Sequence, residues 1–98
     1  MEKDIEQKVW EKATIVNGKN PDWYRKDACG AWIKRDEYGN RNSIYGWEID
    51  HIIPISEGGR DKLSNMQPLH WKNNISKSNG QLSCTIFSLG DENIEYDF

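Results

Sequence analysis

Long apolar runs are missing from this chain. No stretch of the 98 residues approaches the roughly 18 consecutive apolar residues of a membrane span, so no membrane partner is expected. The opening MEKDIEQKVW is charged and polar, unlike a signal peptide, which points to the cytoplasm. Cysteine is scarce. Cys29 and Cys84 lie far apart in sequence and nothing suggests export, so both are expected as buried free thiols and not as a disulfide. Aliphatic content is modest too. Five Trp, four Tyr and two Phe supply the large units of buried area. Such a length accommodates one small domain, residues 1–98, with a single core.

An excess of positive charge is also lacking. A net charge of −3, spread evenly, would repel a polyanion. The distribution is uneven. The first twelve residues carry four acids and the last nine carry four more, whereas residues 13–89 hold ten bases and eight acids. The middle is mildly basic between acidic ends, and overall charge therefore does not exclude nucleic acid.

Residues 2–13 read as an amphipathic helix in which Ile5, Val9 and Ala13 recur at helical spacing and Trp10 widens the stripe. NGKNPD at 17–22 is turn chemistry. A strand is expected over 28–35, with Gly39 and Asn40 reversing the chain into a second strand over 44–53 that Pro54 ends. A polar loop follows, in which Gly58 and Gly59 allow unusual backbone angles. Pro68 to Lys77 can start a helix with Pro in its first turn. SCTIFSL is strand-like, and residues 90–98 form an acidic tail. The fold class is α+β, with short antiparallel strands and a flanking helix.

One stretch conflicts with this simple pattern. WEIDHIIPISEGG is rich in Ile, yet Asp50 and His51 sit side by side within it. Burying a carboxylate and an imidazole without partners costs several kcal/mol. Both become reasonable beside a cation and a water. Asp50 offers a hard oxygen to a divalent ion, and an imidazole that titrates near neutrality is the usual general base. Asn73 or Asn74 of the following helix could add a further oxygen. Neighbours on a pleated strand point to opposite faces, so aiming both at one point calls for a twist or bulge at the strand end.

IDHIIPISEGGRDKLSNMQPLHWKNNISKSNG resembles the HNH endonuclease motif, the ββα-metal fold shared by homing endonucleases, nuclease colicins and many bacterial and phage nucleases. The likeness spans about residues 46–80. It consists of Asp-His, a following Pro, Gly-Gly, Asn-Met-Gln-Pro-Leu, and Asn with Lys three residues later. The resemblance implies a metal-dependent endonuclease that hydrolyses phosphodiester bonds in DNA, with RNA cleavage or a non-catalytic binding module as alternatives. It gives His51 as the general base and Asp50 and Asn74 as ligands of one divalent ion, Mg²⁺ first and Mn²⁺ or Ni²⁺ as substitutes. It makes Asn65 the residue that braces the loop and aligns the base, and it brings Lys77 near a phosphate.

Many members of the family bind a structural zinc through two Cys-x-x-Cys pairs. The corresponding positions here are Cys29 with Trp32, and His70 with Asn73. One candidate ligand in each half does not close a tetrahedral site, so structural zinc is not expected. His70 reads as a residue buried beside Trp71, with a second imidazole near the metal or phosphate as the alternative. Arg60 and Lys72 are further candidates for phosphate contact, as are Arg25, Lys26, Lys34, Arg35 and Arg41, although solvated charge is the simpler reading of each. Oligomeric state is not encoded in any motif.

Overall fold

The computed structural model describes residues 2–96. Helix α1, Glu2–Trp10, is shorter than expected. Its end tightens, with the amides of Lys12 and Ala13 donating three residues back to Val9 O and Trp10 O at 3.0 and 2.9 Å. Val9, Trp10 and Ala13 meet Ile33, Trp47 and Met66 in the core, with Ile49 and Leu63 packed against them. The rings of Trp10 and Trp47 lie 5.4 Å apart. Few aliphatics are therefore needed, because two indoles fill the centre.

Strands β1, Tyr24–Lys26, and β2, Trp32–Lys34, form an antiparallel pair. The expected strand over 28–35 is half turn. Asp27 Oδ1 accepts from the amides of Cys29 and Ala31 at 2.9 and 2.8 Å, which closes the chain on itself there. The reversal expected at Gly39 is a longer excursion that begins with a 3-10 turn at Arg35–Glu37. Its return passes through Gly46, where an added Cβ would lie 2.0 Å from Asn40 O and 2.9 Å from Trp71 Cδ1. Strand pairing resumes only at Trp47.

The next three elements build the ββα unit. Strand β3, Trp47–His51, pairs antiparallel with β4, Met66–His70, and α2, Trp71–Ser76, follows at once. The helix expected from Pro68 therefore begins later, with Pro68 inside a strand. Ile52 N donates to Asn65 O at 2.8 Å, so in the alternating ladder Asp50–Gln67 and Glu48–Leu69 exchange bonds while Pro68 faces away. Its missing N–H thus costs the ladder nothing.

The acidic tail is not loose. Strands β5, Ile86–Leu89, and β6, Glu92–Glu95, form a third antiparallel pair. Asn93 fastens it, accepting from Trp32 N at 2.6 Å and donating to Trp32 O and Ile44 O, both at 2.8 Å. Asp97 and Phe98, the end of the tail segment, lie outside the described residues.

The expectation of free thiols is overturned. Cys29 and Cys84 form a disulfide across 55 residues, with Cα atoms 5.4 Å apart. A buried polar hub brings them together. Asp27 Oδ2 accepts from His70 N at 2.9 Å and from Asn73 Nδ2 at 3.0 Å. Asn73 in turn accepts from Thr85 N and Ile86 N at 3.0 and 2.8 Å. The turn carrying Cys29 and the segment carrying Cys84 are thereby clamped on one another. No helix among the described residues is long and apolar enough to cross a membrane.

Candidate active site

Alternation along β3 sorts its side chains. Trp47 and Ile49 pack into the core, and Glu48 and Asp50 share the opposite face, toward α2. No bulge is needed to bring Asp50 and His51 to one place. The β3–β4 register runs unbroken to His51, and a cavity of about 420 Å³ wraps the strand end. Asp50, His51, Asn74 and Lys77 all line it, with Pro54 and Ile55 beside them.

Asp50 is buried and doubly held. Gln67 Nε2, its cross-strand partner, donates to Oδ2 at 2.9 Å. Lys77 Nζ reaches Oδ1 and Oδ2 at 3.1 and 2.9 Å, and also the main-chain oxygens of His51 and Ile52 at 2.6 and 3.0 Å. Lys77, expected near a phosphate, is therefore turned inward, with its side chain 6% exposed. It is also the residue that ends α2.

His51 is half-exposed, and its Nε2 meets Asp61 Oδ1 at 2.9 Å. Asp61 belongs to the loop between β3 and β4, where sequence reading saw only polar residues. Nothing in the pattern singles it out. The Asn65 side chain makes its hydrogen bonds elsewhere than to His51. Its Oδ1 accepts from Ile53 N at 2.9 Å, and its Nδ2 donates to Ile53 O at 2.9 Å and Arg60 O at 2.8 Å. The amide thus clips both ends of the loop from the side. Gly59 makes room for the clip, since a Cβ there would stand 1.8 Å from Ile53 O and 2.9 Å from Asn65 Nδ2.

The two asparagines of α2 part company. Asn73 is spent in the buried hub, whereas Asn74 lines the cavity and its Nδ2 donates to Glu48 Oε1 at 2.8 Å. Glu48 is itself gripped by Arg41, whose Nε and Nη2 donate at 2.6 and 3.0 Å. That guanidinium holds the Glu48 carboxyl below the usual carboxylate range, against the opposing effect of burial. Strand alternation could have flagged Glu48, two residues before Asp50. Among the described residues no group of three His, Cys, Asp or Glu side chains is placed to hold a metal. The oxygen-bearing side chains that line the cavity are those of Asp50, Ser56, Asn74 and Asn79.

His70, buried and stacked on Trp71 at 5.9 Å, serves structure. Its Nδ1 accepts from Lys72 N at 3.1 Å, capping α2, and its Nε2 donates to Ile44 O at 2.9 Å. Burial pushes this imidazole below its ordinary pKa. Lys72 pairs with Glu95 at 2.6 Å, and Arg60 is exposed with no side-chain partner among the described residues. Arg25 donates to Pro21 O and Glu11 O at 2.9 and 3.1 Å, and Arg35 binds Glu6 and Gln7. Arg25, Arg35, Arg41, Lys72 and Lys77 are therefore engaged within the fold.

The sequence model of the HNH endonuclease family matches residues 29–80, just over half of the chain. The protein belongs to that family. Its β3, β4 and α2 supply the strand-strand-helix unit, in an α+β chain of short antiparallel pairs. HNH endonucleases generally use a divalent metal and act on nucleic acids. No curated protein and no solved structure gives a significant match to the chain.

Proposed function

We propose that the chain is a metal-dependent DNA endonuclease whose reacting groups meet at the end of β3. The observation that carries this reading is the shared cavity: Asp50 and His51 at the end of β3 and Asn74 of α2 line one space of about 420 Å³. The donors there suit a hard divalent cation such as Mg²⁺, since Asp50, Asn74, Asn79 and Ser56 bring oxygens to the same space and neither thiol nor second imidazole lines it. Asp50 and Asn74 would hold the ion. When bound, it would offset negative charge building on the phosphate and the departing 3′ oxygen.

His51 supplies the base. Asp61 occupies Nε2, which leaves Nδ1 as the nitrogen to take a proton from water. A carboxylate on the far nitrogen both orients the ring and favours the imidazolium that results. Asn65 works through the main chain, fixing Ile53 two residues beyond His51. Arg60, exposed on the braced loop, is the candidate for contact with a substrate phosphate.

One observation favours a non-catalytic module. The buried Lys77–Asp50 pair satisfies the carboxylate without any ion. Plasmid DNA incubated with the protein and Mg²⁺ or Mn²⁺, with and without EDTA, separates the readings. Nicking that EDTA abolishes is expected, and His51→Ala should slow it by about 10²–10⁴-fold. Wild-type cleavage rates in that variant would remove the base, and absence of cleavage with every ion would favour the module. RNA offered in parallel tests the substrate.

A further inference from the structure

A carboxamide has an oxygen end and a nitrogen end of nearly equal size, and only the oxygen can bind a cation. Something must decide which end of Asn74 faces the cavity. Glu48 stands behind it. An ionised carboxylate accepts hydrogen bonds and cannot donate them, so only Nδ2 can turn toward it. The 2.8 Å bond from Nδ2 to Glu48 Oε1 therefore commits Oδ1 to the other side.

Glu48 is itself immobilised. It shares a face of β3 with Asp50, and Arg41 grips both of its oxygens from the loop before the strand. Oε1 accepts from Arg41 Nη2 and from Asn74 Nδ2 together, so even a neutral amide at this position would keep an oxygen there to avoid opposing two donors. We infer that Glu48 is a positioning residue that aims the Asn74 oxygen at the divalent cation, with Arg41 holding Glu48 in place; this rests on the assignment of Asn74 as a ligand. Partners behind a metal ligand commonly contribute this much, their loss weakening binding by about 10–100-fold.

The test is Mn²⁺ or Mg²⁺ titration of the full chain by calorimetry without nucleic acid, each variant first checked for a wild-type melting profile. Glu48→Ala should weaken the ion by about tenfold or more, because the amide is free to turn over. Glu48→Gln should retain most of the affinity, since its oxygen still faces two donors. In an Asn74→Asp background both ends are oxygens and no aiming is needed. There Glu48→Ala should cost much less affinity, only the part owed to its negative charge.

Three results would overturn the inference. One is a Gln variant as weak as the Ala variant, which would make Glu48 a source of charge alone. Another is an equal loss from Glu48→Ala in the Asn74→Asp background. The third is loss of binding in Asn74→Ala with none in Glu48→Ala, which leaves the ligand assignment standing. Wild-type affinity in Asn74→Ala would instead remove the ligand assignment, and this inference with it.

Discussion

Lys77 lies against Asp50 with both side chains more than nine-tenths buried, and its ammonium is ringed by four oxygens from Asp50, His51 and Ile52. It holds the end of α2 to the end of β3 and supplies the charge that makes a buried carboxylate tolerable. Removing one partner of such a pair costs about 3–5 kcal/mol, because the other is left buried and unpaired. Lys77→Met should therefore melt well below the wild type in EDTA. A cation that binds the freed Asp50 should restore stability, by about 2.7 kcal/mol at a hundredfold excess over its dissociation constant. Melting curves with and without Mg²⁺ check this, and a variant indifferent to Mg²⁺ would contradict it.

Asn65 and Gly59 form one device. Asn65→Ala removes three hydrogen bonds from the loop between β3 and β4. With the partner groups near solvent, a loss of about 1–3 kcal/mol in stability is expected. Since no Asn65 atom lines the cavity, ion affinity should hardly change while cleavage falls. Gly59→Ala should reproduce the phenotype through the clash with Ile53 O. Calorimetry beside a nicking assay separates the two effects, and a parallel loss of ion affinity would argue against bracing as the role.

Acid should loosen α2. The folded His70 carries its proton on Nε2 and uses Nδ1 to accept from Lys72, so a second proton would break the helix cap. Burial depresses the folded pKa, and the unfolded chain therefore takes up the proton first. The contribution of His70 is whole above about pH 6.5 and declines as pH falls below it. Melting temperatures between pH 8 and 5 should drop more for the wild type than for His70→Asn, which keeps a capping oxygen. Identical pH slopes would show that His70 does not carry the effect.

Reduction should destabilise the whole domain. A bridge across 55 residues contributes roughly 4 kcal/mol if it acts by restricting the unfolded chain. Cys84 is exposed, so a reductant can reach it. Urea midpoints with and without a phosphine reductant measure the loss, and a Cys29→Ser, Cys84→Ser chain should match the reduced protein. An unchanged midpoint, with thiols shown to be free, would indicate that the hub alone holds these segments.

The Asp-His pair, the Gly-Gly loop and the two later asparagines were legible because each meets a local requirement: strand alternation, close backbone approach, hydrogen bonding. Asn65 illustrates this, since its loop-bracing bonds reach Ile53 and Arg60 through the main chain. The residues missed act across the chain. Asp61 reaches His51 from a loop, Gln67 finds Asp50 through strand register, and the bond from Cys29 to Cys84 depends on a hub of three separate segments. Pro68 misled because its ring suits a helix start and, equally, a strand position facing away from the ladder. Lys77 reads as a phosphate contact because its spacing from Asn74 says nothing of the pocket of oxygens that draws it inward.

Adjacent asparagines on a helix of six residues answer to different parts of the molecule: Asn73 to the hub that receives the tail hairpin, Asn74 to the cavity. A chain cut after Gly80 would retain every position of the family match. It would nonetheless lose Thr85 and Ile86, whose amides anchor the first asparagine and so fix the rotation of the second. The smallest working unit is thus larger than its signature at both ends, since α1 carries Val9 and Trp10 into the core.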